Sequence, residues 1–271
     1  MYQTDTIKCS FPGMQGFLLD ARIDLPRDLH QPPLAIISHC FTCSKETLTS
    51  FRVSRGLAQR GIGVLRFDFT GLGNSGGDFA DTNFTTMVGD ILCAADYLER
   101  HQGPAATLIG HSMGGTAALL ASTRLPSCDT VVTIASPSQP EHVLHHFGEA
   151  MEKLRARQPA HITVAGVDYP VRPQFIDDVR GYRMDQQLAD YKRRILAIRA
   201  GQDRLVAHPD AEEIISYSSG PTALIDLPGA DHLFSARRDT DQLIDAIARW
   251  ILEPGMVTGG GGLKENANER E

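Results

Sequence analysis

The stretch Thr107-Leu-Ile-Gly-His-Ser-Met-Gly-Gly-Thr-Ala-Ala-Leu-Leu120 decides how the chain folds. Thr107–Ile109 is too short for a helix and suits a strand buried on both faces. Met113–Arg124, rich in Ala and Leu, reads as a helix. Between them lies Gly110-His111-Ser112-Met113-Gly114, a G-x-S-x-G set where a strand turns into a helix. A turn that sharp has no room for side chains at its flanks. Glycines two residues to either side of Ser112 keep Cβ atoms out of the way. The serine is then held proud of the sheet at a helix N-terminus, where backbone amides can receive a developing negative charge.

Outward from this turn, strand and helix patterns alternate. Residues 6–11 and 17–25 read as two strands joined through Pro12-Gly13, a hairpin at a sheet edge. Leu34–Ile37 and Ile62–Phe69 are further buried strands, with a helix predicted over 45–60 that stops before Gly61. Phe84–Arg100 is helical, with Ile91, Ala94, Ala95 and Leu98 on one face. Thr130–Ala135, Ile195–Arg199 and Thr222–Leu227 complete the strands, and the last helix runs from about Asp239 to Leu252. This order predicts an α/β fold: a mostly parallel central sheet with helices on both faces. The alternation breaks between Ser136 and Tyr191. There the pattern is helical over Glu141–Arg157, then a hairpin over Ile162–Val171 turning near Gly166, then helical again. That is too long for one crossover. It predicts a cap insertion at about 136–191 within a single domain spanning 1–254. Beyond Pro254 the chain is glycine-rich and polar, so 255–271 is expected to be a disordered tail or linker.

A serine hydroxyl is a poor nucleophile without a base, and the base needs an acid to orient it. On a sheet of this kind the partners follow in the order Ser, acid, His, each on a loop after a strand. Asp203 follows the strand Ile195–Arg199, and His232 follows Thr222–Leu227. Asp231 is next to His232 in sequence, a poor position from which to reach its imidazole, and reads as a turn residue. His208 opens a helix and His101 ends one. Ser112, Asp203 and His232 are therefore the candidate catalytic triad. The backbone N–H groups of Met113 and Phe41 are the candidate oxyanion donors, with His39 shaping the loop that carries Phe41.

These residues resemble the α/β-hydrolase family from about Pro32 to Pro254. His39-Cys40-Phe41-Thr42 resembles its His-Gly oxyanion loop, with Cys40 where glycine is usual. Arg66-Phe-Asp68-Phe-Thr-Gly71-Leu-Gly73-Asn-Ser75-Gly76 resembles its Asp-x-x-Gly-x-Gly-x-Ser segment, which implies a structural role for Asp68. The loop His39–Lys45, the segment Arg66–Ser75 and Ala135-Ser-Pro-Ser-Gln-Pro-Glu-His-Val-Leu144 are similar to a bacterial subgroup often fused to a C-terminal OsmC-type peroxide-reducing domain. That resemblance implies hydrolase architecture, and an OsmC-type domain or protein as a candidate partner.

Composition narrows the alternatives. A net charge of −7 argues against a nucleic-acid partner. No apolar run approaches the ~20 residues of a membrane helix, and residues 1–19 lack a signal-peptide pattern, so a cytoplasmic location is expected. Five cysteines, an odd number without a secretion signal, predict free thiols. Cys40 and Cys43 form a C-x-x-C and are a candidate redox pair. A disulfide there is expected to strain the oxyanion loop and switch activity off. The plainer reading takes them as two small residues that let the loop pack. His142, His145 and His146 share one predicted helix, but no ligand set surrounds them and no metal is expected. The leading expectation is a cofactor-free serine hydrolase that cleaves a carboxylic ester or related acyl bond in a small-molecule substrate. An amide or peptide hydrolase stays open, as does a non-catalytic binding module that serves an OsmC-type partner. Oligomeric state is not set by the sequence.

Overall fold

The computed structural model describes residues 1–253. The glycine-rich tail expected over 255–271 lies outside the described residues. The chain opens with an antiparallel hairpin, β1 (Thr4–Pro12) and β2 (Leu18–Pro26). Then follow β3 (Leu34–Ser38), α1 (Leu48–Ala58), β4 (Gly63–Phe67), α2 (Phe84–His101), β5 (Thr107–His111), α3 (Met113–Ser122) and β6 (Thr130–Ile134). Residues 136–191 hold a 3-10 helix (Pro140–Phe147), α4 (Ala150–Arg155), the hairpin β7 (Ala160–Val164) and β8 (Val167–Val171), α5 (Gln174–Arg180) and α6 (Met184–Gln187). The main sheet resumes with β9 (Arg194–Ala200), α7 (Pro209–Ser216), β10 (Thr222–Leu227) and α8 (Arg237–Leu252).

The eight main strands lie in the order β1-β2-β4-β3-β5-β6-β9-β10. Only β1 and β2 run antiparallel to their neighbours. Every residue of β3, β4, β5 and β6 is buried. Such strands need covering on both sides, which explains their continuous apolar runs. On one face Ile37, Val64, Ile109, Val132 and Ile198 pack with Val53 and Leu57 of α1 and Leu243, Ile244 and Ile247 of α8. On the other, Ile36, Leu65, Leu108 and Val131 pack with Ile91 and Leu98 of α2 and Ala117 and Leu120 of α3. The hairpin's outer strand is mostly exposed because nothing lies beyond it.

Two boundaries differ from the sequence reading. Helix α1 starts at Leu48 rather than residue 45, because Lys45 is drawn under the sheet edge by buried carboxylates. The helix expected over 141–157 is two pieces: Pro140 opens a 3-10 segment, and Gly148 at φ 38° breaks the chain before α4. Strands β3, β5, β6, β9 and β10 are mutually parallel, so their C-terminal ends share one edge. The loops carrying Phe41, Ser112, Asp203 and His232 all leave from that edge.

Candidate active site

Ser112 stands between β5 and α3 with φ 54° and ψ −131°. A non-glycine residue there costs about 1–3 kcal/mol and persists only where its surroundings over-determine it. They do. The Ser112 N–H donates to Ile134 O at 2.8 Å, and Ser112 O accepts from the Gly115 N–H at 2.8 Å. Ser38 Oγ donates to Ile109 O at 3.1 Å and Gly114 O at 3.0 Å, tying β3 to both sides of the turn. A Cβ on Gly110 would overlap the carbonyl of Gly114, and one on Gly114 the carbonyls of Ser38 and His39. Gly114→Ala should therefore push the His39 loop aside and cost about 1–3 kcal/mol by overpacking. A thermal scan should show a midpoint several degrees lower, and an unchanged midpoint would mean that the turn is slack.

The structure joins two of the three predicted catalytic side chains directly. His232 Nδ1 lies 2.7 Å from Asp203 Oδ2. Asp203 Oδ1 accepts from the N–H groups of Leu205 at 2.8 Å and Val206 at 3.1 Å. Burial pushes the Asp203 carboxyl up, but the bond and charge of His232 and these two amides outweigh it, so its pKa lies below the ordinary 3.8. Because the folded value is the lower one, Asp203 stabilises the fold above 3.8, and this contribution disappears as pH falls through the folded value. Asp203→Asn should flatten the acid end of the stability–pH curve and leave its shape unchanged above pH 5–6, roughly where unperturbed aspartate is fully ionised. An unchanged acid end would show that the pair contributes nothing.

Ser112 is half-buried, as is His232. Among the described residues the Ser112 hydroxyl is not hydrogen-bonded to His232, whose ring is held by Asp203 and whose carbonyl is held by His111. Nucleophile–base contacts commonly close only when substrate binds. His111, which has no role in the sequence reading, links the two loops. Its Nε2 lies 2.7 Å from His232 O, and its ring centroid is 4.9 Å from that of His232. Burial, then the proximity of His232, holds His111 down to about 3, so it is neutral and donates through Nε2–H. Its position beside the nucleophile at a strand end was the one signal for it.

The loop after β3 brings the other predicted residues to the same edge. His39 is buried; its Nδ1 lies 2.7 Å from Cys40 O, and its Nε2 accepts from the Phe69 N–H at 3.2 Å. Burial holds this ring down to about 4, which fits a neutral Nδ1–H tautomer. His39 thus shapes the loop, as its sequence position suggested. Among the described residues neither Phe41 N–H nor Met113 N–H donates to a loop, turn or side-chain acceptor. The loop's far end is fixed by Lys45, wholly buried. Its Nζ is 2.7 Å from Asp68 Oδ2 and 2.5 Å from Asp20 Oδ2, and its N–H is 2.6 Å from Asp68 Oδ1. Asp68 is structural, as expected.

The free-thiol expectation fails at one place. Cys40 and Cys43 are joined, their Cα atoms 5.2 Å apart, while Cys9, Cys93 and Cys128 are free. The turn brings the two sulfurs together: the Cys43 N–H donates to Cys40 O at 3.2 Å. Phe41, between them, packs its ring against Phe79 at 5.4 Å and Phe175 at 5.3 Å between centroids.

The histidines of the 3-10 helix have partners of their own. His142 Nε2 lies 2.8 Å from Leu205 O, and His145 Nδ1 lies 2.6 Å from His142 O. Among the described residues no group of three or more His, Cys, Asp or Glu side chains is arranged to hold a metal. No helix among them is long and apolar enough to cross a membrane.

Residues 44–172 match a family model described as serine aminopeptidase, S33. The esterase domain of a Rhodothermus marinus protein is 30% identical; the alignment covers 92% of this chain and 97% of that one, with a TM-score of 0.72. The chain belongs to the α/β-hydrolase superfamily. The eight-stranded, mostly parallel sheet is the fold expected from the sequence. Est1E from Butyrivibrio proteoclasticus with ferulic acid bound shares the hydrolase fold at 21% identity, a TM-score of 0.75, and coverage of 90% of this chain and 98% of that one. A Xanthomonas campestris serine hydrolase described as having no lid aligns at 20% identity and a TM-score of 0.60, over 92% of this hydrolase and 97% of that chain. No curated protein matches this hydrolase.

Proposed function

We propose that this hydrolase cleaves carboxylic esters of small molecules through Ser112, His232 and Asp203. One observation carries the reading: the 2.7 Å contact between Asp203 and His232 lies at the sheet edge from which Ser112 projects in its left-handed turn. In the reaction His232 Nε2 takes the Ser112 proton as Oγ attacks the ester carbonyl. Asp203 fixes the Nδ1–H tautomer and offsets the charge of the imidazolium. The N–H groups of Phe41 and Met113 receive the oxyanion. The alcohol leaves with the proton from His232, and water, activated by the same imidazole, releases the acid.

An aminopeptidase needs a carboxylate free to hold a substrate ammonium. Two carboxylates near the acid loop are already occupied, Asp203 by His232 and Asp210 by the N–H and hydroxyl of Ser138 at 2.7 Å each. The esterase activity named for the Rhodothermus relative agrees with the ester reading. Residues 136–191 are the proposed cap over the site. Tyr169 of β8 donates to Thr42 O at 3.1 Å, and Phe147 and Phe175 lie against Phe41.

Matched p-nitrophenyl esters and p-nitroanilides test the reading. An ester kcat/KM at least about 10³-fold above that of the anilide, with dependence on Ser112, is the expected result. Faster cleavage of aminoacyl anilides would move the assignment to the serine aminopeptidase named by the family model.

A further inference from the structure

We propose that Cys40–Cys43 is a thiol–disulfide exchange site through which a dithiol sets the activity of this hydrolase. The proposal rests on the triad reading above and concerns its oxyanion loop.

The two ends of that loop are anchored independently of the disulfide. His39 holds the start through Cys40 O and the Phe69 N–H. Lys45 holds the end through Asp68 and Asp20. Ser44 O, next to the second anchor, accepts from the Thr47 N–H and hydroxyl, and within residues 40–43 the remaining polar contacts on the backbone are the Cys43 N–H to Cys40 O turn bond and the Tyr169 hydroxyl on Thr42 O. The disulfide spans this middle section, and Phe41, whose N–H is the proposed oxyanion donor, lies inside it. A disulfide closing so short a loop removes little chain entropy, so its effect is local rather than global. With the bond in place His39 keeps its contacts to Cys40 O and the Phe69 N–H, and Phe41 its ring contacts to Phe79 and Phe175. The oxidised form is the one proposed to be active, because the bond closes the section of loop that carries Phe41.

The site is asymmetric in access. Cys40 is buried, whereas Cys43 is half-buried. A thiolate of an incoming dithiol attacks Cys43 Sγ, forms a mixed disulfide there and expels the Cys40 thiolate. The second thiol of the reductant then attacks its own sulfur in the mixed disulfide and releases the Cys43 thiolate. Two electrons and two protons pass from the dithiol to the protein, and the dithiol leaves as a disulfide. The remaining cysteines do not compete. Burial raises the thiols of Cys9, Cys93 and Cys128 above the ordinary value and leaves them weak nucleophiles.

The 271-residue chain is equilibrated with dithiothreitol or with its oxidised form. Alkylation and intact mass then give the number of free thiols, three when oxidised and five when reduced. Each state is assayed for p-nitrophenyl acetate turnover and for the rate of fluorophosphonate labelling. Reduction should lower kcat and the labelling rate by about tenfold, less than the roughly 10²–10³-fold lost when an oxyanion donor is removed outright, because the donor is loosened and not deleted, with KM changing less than twofold. Cys43→Ser should behave like the reduced wild type in both buffers. Equal rates in the two states, with the thiol counts verified, overturn the switch and leave the triad reading intact. Three alkylated thiols in neither buffer also overturn it, since the bond then does not form. No labelling in either state overturns the triad reading, and the switch falls with it.

Discussion

Ser112→Ala should abolish turnover, lowering kcat by on the order of 10⁵-fold or more. The size of the loss follows from what the serine alone supplies. Without Oγ no acyl-enzyme forms, and the fixed His232–Asp203 pair is left with only water to activate. The residual rate is what the proposed oxyanion donors and substrate binding provide. His232→Ala should cost about as much, and the double variant little more, because the groups act as one unit. The fold should not notice. Among the described residues the Ser112 hydroxyl makes no bond to His232, and alanine meets the same backbone strain at φ 54°. The stability should therefore stay within roughly 0.5 kcal/mol of wild type. A variant that retains a tenth of wild-type kcat would remove Ser112 from the chemistry.

The largest stability effect is expected at Lys45. Its side chain has no exposure, and the Asp68 carboxylate beside it has none either. Asp20, a quarter exposed, completes the cluster and also bonds Arg22 Nη1 at 2.9 Å. Burial pushes Asp20 up, but the bonds from Lys45 and Arg22 prevail and hold it below the ordinary carboxylate value. Lys45→Met keeps much of the side-chain volume and removes the ammonium, which leaves two carboxylates facing each other under the sheet edge. Breaking a buried pair in this way costs about 3–5 kcal/mol. For a domain of this size that lowers the melting temperature by roughly 10 °C. The Lys45 N–H to Asp68 bond survives, so the loop should stay anchored enough for the variant to fold. A midpoint shift under about 2 °C would show that solvent reaches the cluster.

Both effects bear on how far the sequence could be read. The sheet was legible because parallel strands buried on both faces leave continuous apolar runs, as at Leu34–Ile37 and Thr107–Ile109. The Ser112 turn was legible because its geometry demands glycines at fixed spacing. Asp203 and His232 were legible because each follows a strand whose end lies on the same edge, and the structure brings them together. Lys45 was not legible. Its charge suggested the solvent face of a helix, and only tertiary structure brings to it Asp20 of β2 and Asp68, just past the end of β4. His111 was hidden for a similar reason, since its partner is a carbonyl 121 residues away. Cys40 and Cys43 were visible as a pattern, but bonding depends on the turn that places Cys43 N–H on Cys40 O. The segment 141–157 misled because Pro140 opens a 3-10 segment and Gly148, inside the run, breaks the chain before α4.

The most direct measurement is intact mass after incubation with a fluorophosphonate, with Ser112→Ala run beside the wild type. An activated serine attacks phosphorus and keeps the adduct, while an idle hydroxyl does not react. The account predicts one adduct per wild-type chain and none on the variant. No adduct on folded wild-type protein in either redox state, or an adduct that persists in Ser112→Ala, would contradict it.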